Sequence, residues 1–481
     1  MSTLVRRAQE HQAVRWVGTA LLFIVAGVAA GILITVPGML RLLIFAALFL
    51  LMMALNAKNP RVVLMLLILY LPCMSFLRRL LIPLSGWSSF DPLVILPSLV
   101  VLLIGAGWFY RIYFMRDLHF DDSRMFRLVR WFLLIHVFQV FNPLQGGLLT
   151  GFGGVMFYIT PLFWMLLSRH YFDERWMKAI LASVMVIGVL GGLYGLKQTY
   201  FGFFPFEDDW VRISGYAALM VGSGSRSFSF FTSAAEYAQY VVIAIIIAWV
   251  YTLRGGWMLK AVSLLLLAVL WFALFMISSR GPVVTASVAM VILAVFNSRS
   301  LATRLMVTLI SMAMLVAVYV GITNINPGSN ALIAHQVNGL ANPMDEEHST
   351  LGLHFAMFAF GMLEGVKQPL GRGLGSTTLA GAKFANTGAN SEVDISNMMI
   401  SDGLIGGTIY LLLVLRTLRV AFAYKNTNTT GMIMLGILIA TLGSWSIGGN
   451  YSTCALIWIV IGYLDKVTRE HPLNRIKEST A

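Results

Sequence analysis

The chain has 481 residues, of which 58% are hydrophobic and 11% are charged. A soluble globular protein is nearer half apolar and about a quarter charged, so this composition excludes a soluble globule and predicts a protein solvated by lipid. The net charge of +13 does not indicate nucleic-acid binding, because Lys and Arg are dispersed in short clusters between apolar runs. Cys73 and Cys454 lie in or beside such runs without metal-ligand spacing, so neither a disulfide framework nor redox chemistry is predicted.

Apolar runs recur along the whole chain, and a transmembrane helix needs about twenty such residues. The runs at 281–297 and 451–465 are short for a span. We predict an all-α, polytopic transmembrane helix bundle of about 14 spans. The runs are 16–36, which we interpret as an uncleaved first span, then 40–56, 61–76, 91–110, 129–145, 154–168, 178–199, 234–252, 260–278, 281–297, 304–322, 396–415, 430–447 and 451–465.

The basic residues predict the orientation of this bundle, because short loops rich in Lys and Arg remain in the cytoplasm. If the N-terminus is cytoplasmic, every second loop is basic, from Lys58 and Arg61 to the C-terminal tail. We therefore expect a multi-pass protein with both termini in the cytoplasm and two long outer connections, 200–233 and 323–395. Apolar residues at helical spacing between Leu351 and Met362 predict an amphipathic helix along the membrane surface.

Three regions follow from this topology. Residues 1–199 form the N-terminal transmembrane helices, and residues 416–481 form the C-terminal helices and a cytoplasmic tail. Residues 200–415 contain both long outer connections, so any chemistry is expected in this region and on the outer side.

Arginines on the outer side break the trend that keeps basic residues inside. Arg212, Arg226 and Arg280 are in this position, and Arg78 and Arg79 break the trend as well. One interpretation is that each guanidinium extends to the membrane interface. The other is an anion site, because the planar guanidinium binds the oxygens of a diphosphate two at a time.

The second outer connection supplies His335, His348, His354, Glu392 and Asp394. A single loop histidine is more often a solvated side chain than a catalyst. No pair has the spacing of a zinc helix, and we interpret the acidic run 345–347 as a solvated loop, so no metal is predicted. The segment Gly371 to Gly375, which contains Arg372, is more typical of a tight backbone turn than of a phosphate loop.

Three segments, in this order, resemble the O-antigen ligase and Wzy-type polysaccharide polymerase superfamily over about residues 200–415. The chain departs from the family at two places. Many members have an Arg and then a Trp where this chain has His354 and Phe358, and the second departure is from the ligases. Counting back from Gly403, where ligases have a His-Asn pair, this chain has Glu392 and Val393. The similar segments are 226–231 (RSFSFF), 279–281 (SRG), and His354 followed by 369–375 (PLGRGLG) and 402–406 (DGLIG).

The resemblance implies a metal-independent, inverting glycosyltransferase of the bacterial inner membrane that needs no cofactor. Its donor and acceptor would be glycans linked to undecaprenyl diphosphate. Its partners would be membrane lipid, a flippase and a chain-length regulator. The carboxylate in place of the ligase histidine favours a polymerase over an O-antigen ligase or protein O-glycosyltransferase. A glycan flippase is the alternative from another class, although most predicted spans are uncharged, and a non-enzymatic scaffold for a glycan-assembly complex is a third.

Within this hypothesis the candidate residues have distinct roles. The base that accepts the proton of the acceptor hydroxyl is expected to be Glu392, with His348 and His354 in reserve. Fixed positive charge at the leaving diphosphate is expected from Arg280 and Arg226, and Arg212 and Arg372 are further candidates.

Overall fold

A computed structural model of the protein describes residues 38–88, 91–116, 122–214, 219–221, 224–298, 300–345, 350–385 and 392–470. The predicted span 16–36 lies outside these residues. The structure is 81% helical. Among the described residues, two short strands, β1 (Met220–Val221) and β2 (Gly224–Ser225), pair antiparallel. The all-α class is therefore confirmed.

The helices follow the apolar runs closely. Two transmembrane-length helices contain a π-helical segment: Arg111–Met115 extends α4, and Val155–Ile159 joins α6 to α7. The helices are α1 (Met39–Lys58), α2 (Pro60–Leu80), α3 (Ile82–Ser85), α4 (Pro92–Tyr110), α5 (Arg124–Gln139), α6 (Leu148–Gly154), α7 (Thr160–Tyr171), α8 (Glu174–Phe201), α9 (Pro205–Ser214), α10 (Ala234–Arg254), α11 (Trp257–Met276), α12 (Arg280–Asn297), α13 (Leu301–Thr323), α14 (Ala331–Ala341), α15 (Leu351–Lys367), α16 (Leu379–Phe384), α17 (Asp394–Tyr424), α18 (Thr429–Ala440) and α19 (Tyr451–Glu470).

Ten helices of the described part of the chain are long and apolar enough to cross a membrane. This confirms a polytopic bundle but not the predicted count of about 14 spans. The short run 281–297 does form such a helix, α12. The run 129–145 forms the 16-residue α5, which begins with three arginines in seven residues, and 430–447 forms only the 12-residue α18. The run 451–465 lies in α19, whose last six residues include four charged ones, so it is not among the ten.

The core is centred on α10, whose transmembrane window is 78% buried. Small residues allow other helices to approach α10 closely. A methyl group on Gly188 of α8 would lie 2.5 Å from the Cβ of Ala244, and one on Gly436 of α18 would lie 2.6 Å from Ile246. By contrast, α13 has no buried residue in its transmembrane window. The bundle is therefore tightly packed around α10, whereas α13 lies at its periphery with its side chains uncovered.

Helix α17 breaks at Gly403, whose φ of 68° and ψ of −166° are not helical. The segment that begins at Pro369 fills the break. The backbone N–H of Leu404 donates to Pro369 O at 3.1 Å, and that of Gly373 donates to Ser401 O at 3.0 Å. A side chain at position 403 would lie 2.2 Å from Pro369 O, so only glycine fits there. The two glycine-rich segments of the family resemblance thus pack against each other.

Basic connections gather at one end of the bundle, which we call the basic end. Arg254, the last residue of α10, donates to Asn297 Oδ1 at 3.0 Å and to the carbonyl oxygen of Lys425 at 3.2 Å. Arg169 pairs with Asp465 at 3.1 Å. The opposite end of α10, where residues 219–233 and α14 lie, we call the loop end.

Candidate functional site

The segment that contains Arg226 has a fixed backbone at the loop end. The N–H of Arg226 donates to Leu219 O at 2.7 Å, which closes the β1–β2 hairpin. Beyond it, the amide oxygen of Gln198 accepts hydrogen bonds from the N–H groups of Phe228 at 3.1 Å and Ser229 at 2.7 Å. The position of Arg226 is therefore set by the hairpin on one side and by α8 on the other.

Arg79 completes this support. Its guanidinium is fully buried, donates to Ser229 O at 2.9 Å and Phe231 O at 2.8 Å, and lies 4.6 Å from the ring centre of Phe228. This contact explains why Arg79 departs from the distribution of basic residues along the chain. The roles of Gln198 and Arg79 are not visible in the sequence, because nothing local shows that they contact a segment up to 152 residues away.

Arg280 begins α12, directly after a constrained turn. Ser278 is buried and has a φ of 59°, which is rare for a residue with a side chain. The guanidinium of Arg280 lies against Gly339 of α14, where an added methyl group would be 1.6 Å from Nη1. Gly339 thus provides the space that Arg280 occupies.

His335 lies on α14 four residues before Gly339, which Arg280 contacts, and α14 also packs against β2, the strand that ends just before Arg226. Ser278 Oγ lies 2.9 Å from Leu332 O and 3.0 Å from His335 Nδ1. Burial, followed by the nearby positive charges of Arg280 and Arg226, lowers the pKa of His335 to about 4. The imidazole is therefore neutral near neutral pH. In the sequence His335 is one of the loop histidines, and nothing near it there indicates a role.

His354 and Glu392 form a pair beside this cluster. His354 Nδ1 lies 3.0 Å from Glu392 Oε2, and the two side chains are 41% and 57% exposed. Their hydrogen bond raises the pKa of His354 and lowers that of Glu392. The positive charge of Arg280 acts in the opposite direction on His354 and lowers its pKa to a smaller extent. On the other side of the ring, Nε2 lies 3.2 Å from Thr350 Oγ1. The structure thus brings together Arg226, Arg280, His354 and Glu392 from separate elements.

Unusual backbone angles concentrate in the same region. Four non-glycine residues of the described chain have positive φ, and three of them are Ser229, Ser278 and Glu392. Ser229 and Ser278 lie within three residues of Arg226 and Arg280. Such conformations cost roughly 1–3 kcal/mol each and persist where the surrounding structure imposes them, most often at functional sites.

The other predicted residues lie in different surroundings. Arg212 is exposed on α9 and pairs with Asp209 at 2.5 Å. Arg372 forms an ion pair with Glu364 of α15, and this carboxylate partly neutralises the guanidinium. Asp394 is buried and accepts hydrogen bonds from Tyr410 Oη and the N–H of Trp445. His348 lies outside the described residues, and within them no group of three or more His, Cys, Asp or Glu could hold a metal ion.

No protein-family model, no curated protein and no solved structure matches this chain.

Proposed function

We propose that the protein is a glycosyltransferase that joins oligosaccharide repeat units linked to undecaprenyl diphosphate at the outer face of a bacterial inner membrane. The observation that carries this proposal is that Arg280 and the strand before Arg226 both pack against α14, which carries His335, while His354 and Glu392 form a pair nearby. A reaction that releases a diphosphate and deprotonates a hydroxyl needs fixed positive charge and a base within one site. The loop end supplies both.

The two arginines suit a lipid diphosphate because of where they lie. Arg280 is the first residue of a transmembrane-length helix, α12, and Arg226 precedes α10 by a few residues. An anion bound there would sit at the membrane boundary, with its lipid chain in the bilayer. A guanidinium remains charged and provides paired donors for phosphate oxygens.

The contacts favour His354 as the base, with Glu392 positioning it. The hydrogen bond that lowers the pKa of Glu392 makes this carboxylate a weaker proton acceptor, and it raises the pKa of His354. With Nδ1–H donated to the carboxylate, Nε2 carries the lone pair and lies 3.2 Å from Thr350 Oγ1. The acceptor hydroxyl must replace the Thr350 hydroxyl at Nε2 before this nitrogen takes its proton. This assignment changes the order of the sequence hypothesis, which placed Glu392 first.

The reaction is then a single displacement. The acceptor hydroxyl gives its proton to His354 Nε2, and its oxygen forms a bond to C1 of the donor sugar. The bond between C1 and the diphosphate oxygen breaks, and undecaprenyl diphosphate leaves with its charge opposite Arg226 and Arg280. Attack opposite the leaving group inverts C1, and the activated bond supplies the driving force.

Elongation of a purified lipid-linked repeat unit tests the proposal. We expect the wild-type protein in vesicles to produce longer lipid-linked chains. Arg280→Lys keeps the charge but loses the paired donors, so elongation should fall by about tenfold to a hundredfold, the equivalent of the roughly 1.5–3 kcal/mol of a charged hydrogen bond. Arg419→Lys, an exposed residue near the basic end, is the matched control and should retain full activity.

Other products would overturn the polymerase proposal in distinct ways. Transfer of the glycan to lipid A or protein would indicate a ligase or protein O-glycosyltransferase. Movement of the intact lipid-linked unit across the vesicle membrane, without longer chains, would indicate a flippase. Full elongation by the Arg280→Lys protein would remove the diphosphate role of Arg280.

Cysteine labelling tests the orientation on which the proposal depends. In a background without Cys73 and Cys454, single cysteines at Asn326 and Thr387 should react with an impermeant thiol reagent from outside intact cells, whereas cysteines at Asn426 and Ser123 should not. Thr387 lies outside the described residues, and Asn326 lies between α13 and α14. Reversed labelling would place the candidate site in the cytoplasm and exclude the outer-face reaction.

A further inference from the structure

We propose that His335 is a third ligand of the diphosphate, and that it takes up one proton from solvent when the anion binds between Arg226 and Arg280. This inference rests on the anion site of the proposed function. It assigns to His335 a role in binding, separate from the base role of His354, and it makes the affinity for the lipid diphosphate depend on pH.

The hydrogen bonds of Ser278 define the tautomer of His335. Ser278 Oγ lies 2.9 Å from Leu332 O and 3.0 Å from His335 Nδ1. A carbonyl oxygen can only accept, so the single hydroxyl proton goes to Leu332 O, and Ser278 Oγ must accept from Nδ1–H. The neutral ring consequently has its lone pair on Nε2. A phosphate oxygen also has only lone pairs, so a hydrogen bond between the two atoms needs an additional proton.

The surroundings explain why that proton is absent before the anion binds. Helix α14 packs against α11, α12, α13, β1 and β2. From these elements and the residue after β2, the charged groups that act on His335 are Arg280 and Arg226, both positive. Burial is the largest cause that lowers the pKa of His335 to about 4, and the repulsion by Arg280 and Arg226 adds to it. An anion between the arginines cancels the repulsion and favours the imidazolium.

The sign of the pH dependence follows from linkage. Because the bound state holds more protons than the free state, affinity must rise as pH falls. The increase is at most about tenfold for each pH unit, and it occurs between the pKa of His335 in the complex and its value of about 4 in the free protein.

Calorimetry on the full-length protein in detergent tests this inference. The probe is farnesyl methyl diphosphate, a diphosphate esterified at both ends, which has no group that titrates near neutrality and no sugar to transfer. Binding enthalpies in two buffers of different ionisation enthalpy give the number of protons taken up. We expect uptake approaching one proton per bound probe at mildly acidic pH, falling towards zero at alkaline pH.

Variants then assign the proton to His335. His335→Asn and His335→Gln cannot be protonated at this position, so both should lose most of the proton uptake and most of the rise in affinity at acidic pH; His354, on which Arg280 also acts, supplies the remainder. His354→Asn and His170→Asn, the latter near the basic end, should retain most of the uptake. Loss of uptake in His354→Asn, with uptake kept in both His335 variants, would overturn the inference.

The wild-type measurement separates the two proposals. Probe binding without proton uptake would overturn the role of His335 and leave the anion site intact. Binding no tighter than that of farnesol, which has no diphosphate, would instead overturn the anion site and with it the proposed function.

Discussion

The described part of the chain contains two histidine–carboxylate pairs in very different surroundings. His354 and Glu392 at the loop end lie 3.0 Å apart and are about half exposed. His136 of α5 and Asp402 of α17 lie 3.7 Å apart, and both side chains are 0% exposed. Among the described residues neither carboxylate oxygen of Asp402 has a hydrogen-bond partner, and His136 Nδ1 lies 2.8 Å from Phe132 O.

The difference shows that the same pair of residue types can have different functions, depending on whether solvent and substrate can reach it. A base must exchange protons with substrate and water. Of the two pairs, His354–Glu392 is exposed to both, and His136–Asp402 is not. The buried pair lies at the break in α17, directly before Gly403, where a charged carboxylate without hydrogen bonds would be very costly. We therefore interpret His354–Glu392 as the reacting pair and His136–Asp402 as part of the helix break.

The largest expected effect comes from removing one carboxylate from each pair without changing its size. Glu392→Gln should be present in the membrane at the normal level and lose about a hundredfold in elongation rate, because His354 loses the partner that positions it. Asp402→Asn should elongate within about threefold of wild type and unfold at no lower temperature, because it removes a buried carboxylate that accepts no hydrogen bond. Elongation assays and thermal unfolding of both purified variants provide the comparison.

The comparison would be reversed by loss of elongation in a stably folded Asp402→Asn protein together with normal elongation by Glu392→Gln. The reacting pair would then be buried in the membrane, where ionisable residues are often functional.

A smaller effect is expected on the pH dependence of elongation. If His354 is the base, kcat/KM should rise with pH as His354 loses its proton, with a midpoint above its ordinary value because the bond to Glu392 raises its pKa. Glu392→Gln removes the cause of that rise, so the midpoint of the remaining activity should move to lower pH. Rate measurements across the pH range on both proteins would show this, and an unmoved midpoint would mean that His354 is not the titrating group.

Much of the fold could be predicted from the sequence, because apolar runs of transmembrane length leave few alternatives to helices. The number of spans could not be predicted in the same way. The run 430–447 is continuous in hydropathy, but its helix ends at Ala440 and a turn follows in which Gly443 has a φ of 87°. Where a helix ends inside an apolar run depends on tertiary contacts, which hydropathy does not describe.

The candidate residues could be proposed from their unusual positions in the chain, but their grouping could not. Ser278 and His335 are 57 residues apart in sequence, and the contact of Gly339 with Arg280 depends on how α14 folds back onto α12. Arg212 and Arg372 had the same sequence features as Arg226 and Arg280. Asp209 is three residues before Arg212, so that ion pair could be predicted from the sequence, whereas the pairing of Arg372 with Glu364 is shown by the fold.

The exposed helix α13 gives the site a dependence on the lipid itself. Its 23 residues span about 34 Å at 1.5 Å per residue, somewhat more than the hydrocarbon thickness of roughly 30 Å. No residue of α13 is buried, although the helix packs against α12 and α14, so a change in its tilt to match the bilayer would disturb few buried contacts. The seven-residue connection 324–330 joins it to α14, so the tilt of α13 acts on the helix that carries His335. We therefore expect the acyl-chain length of the surrounding lipid to influence the position of α14.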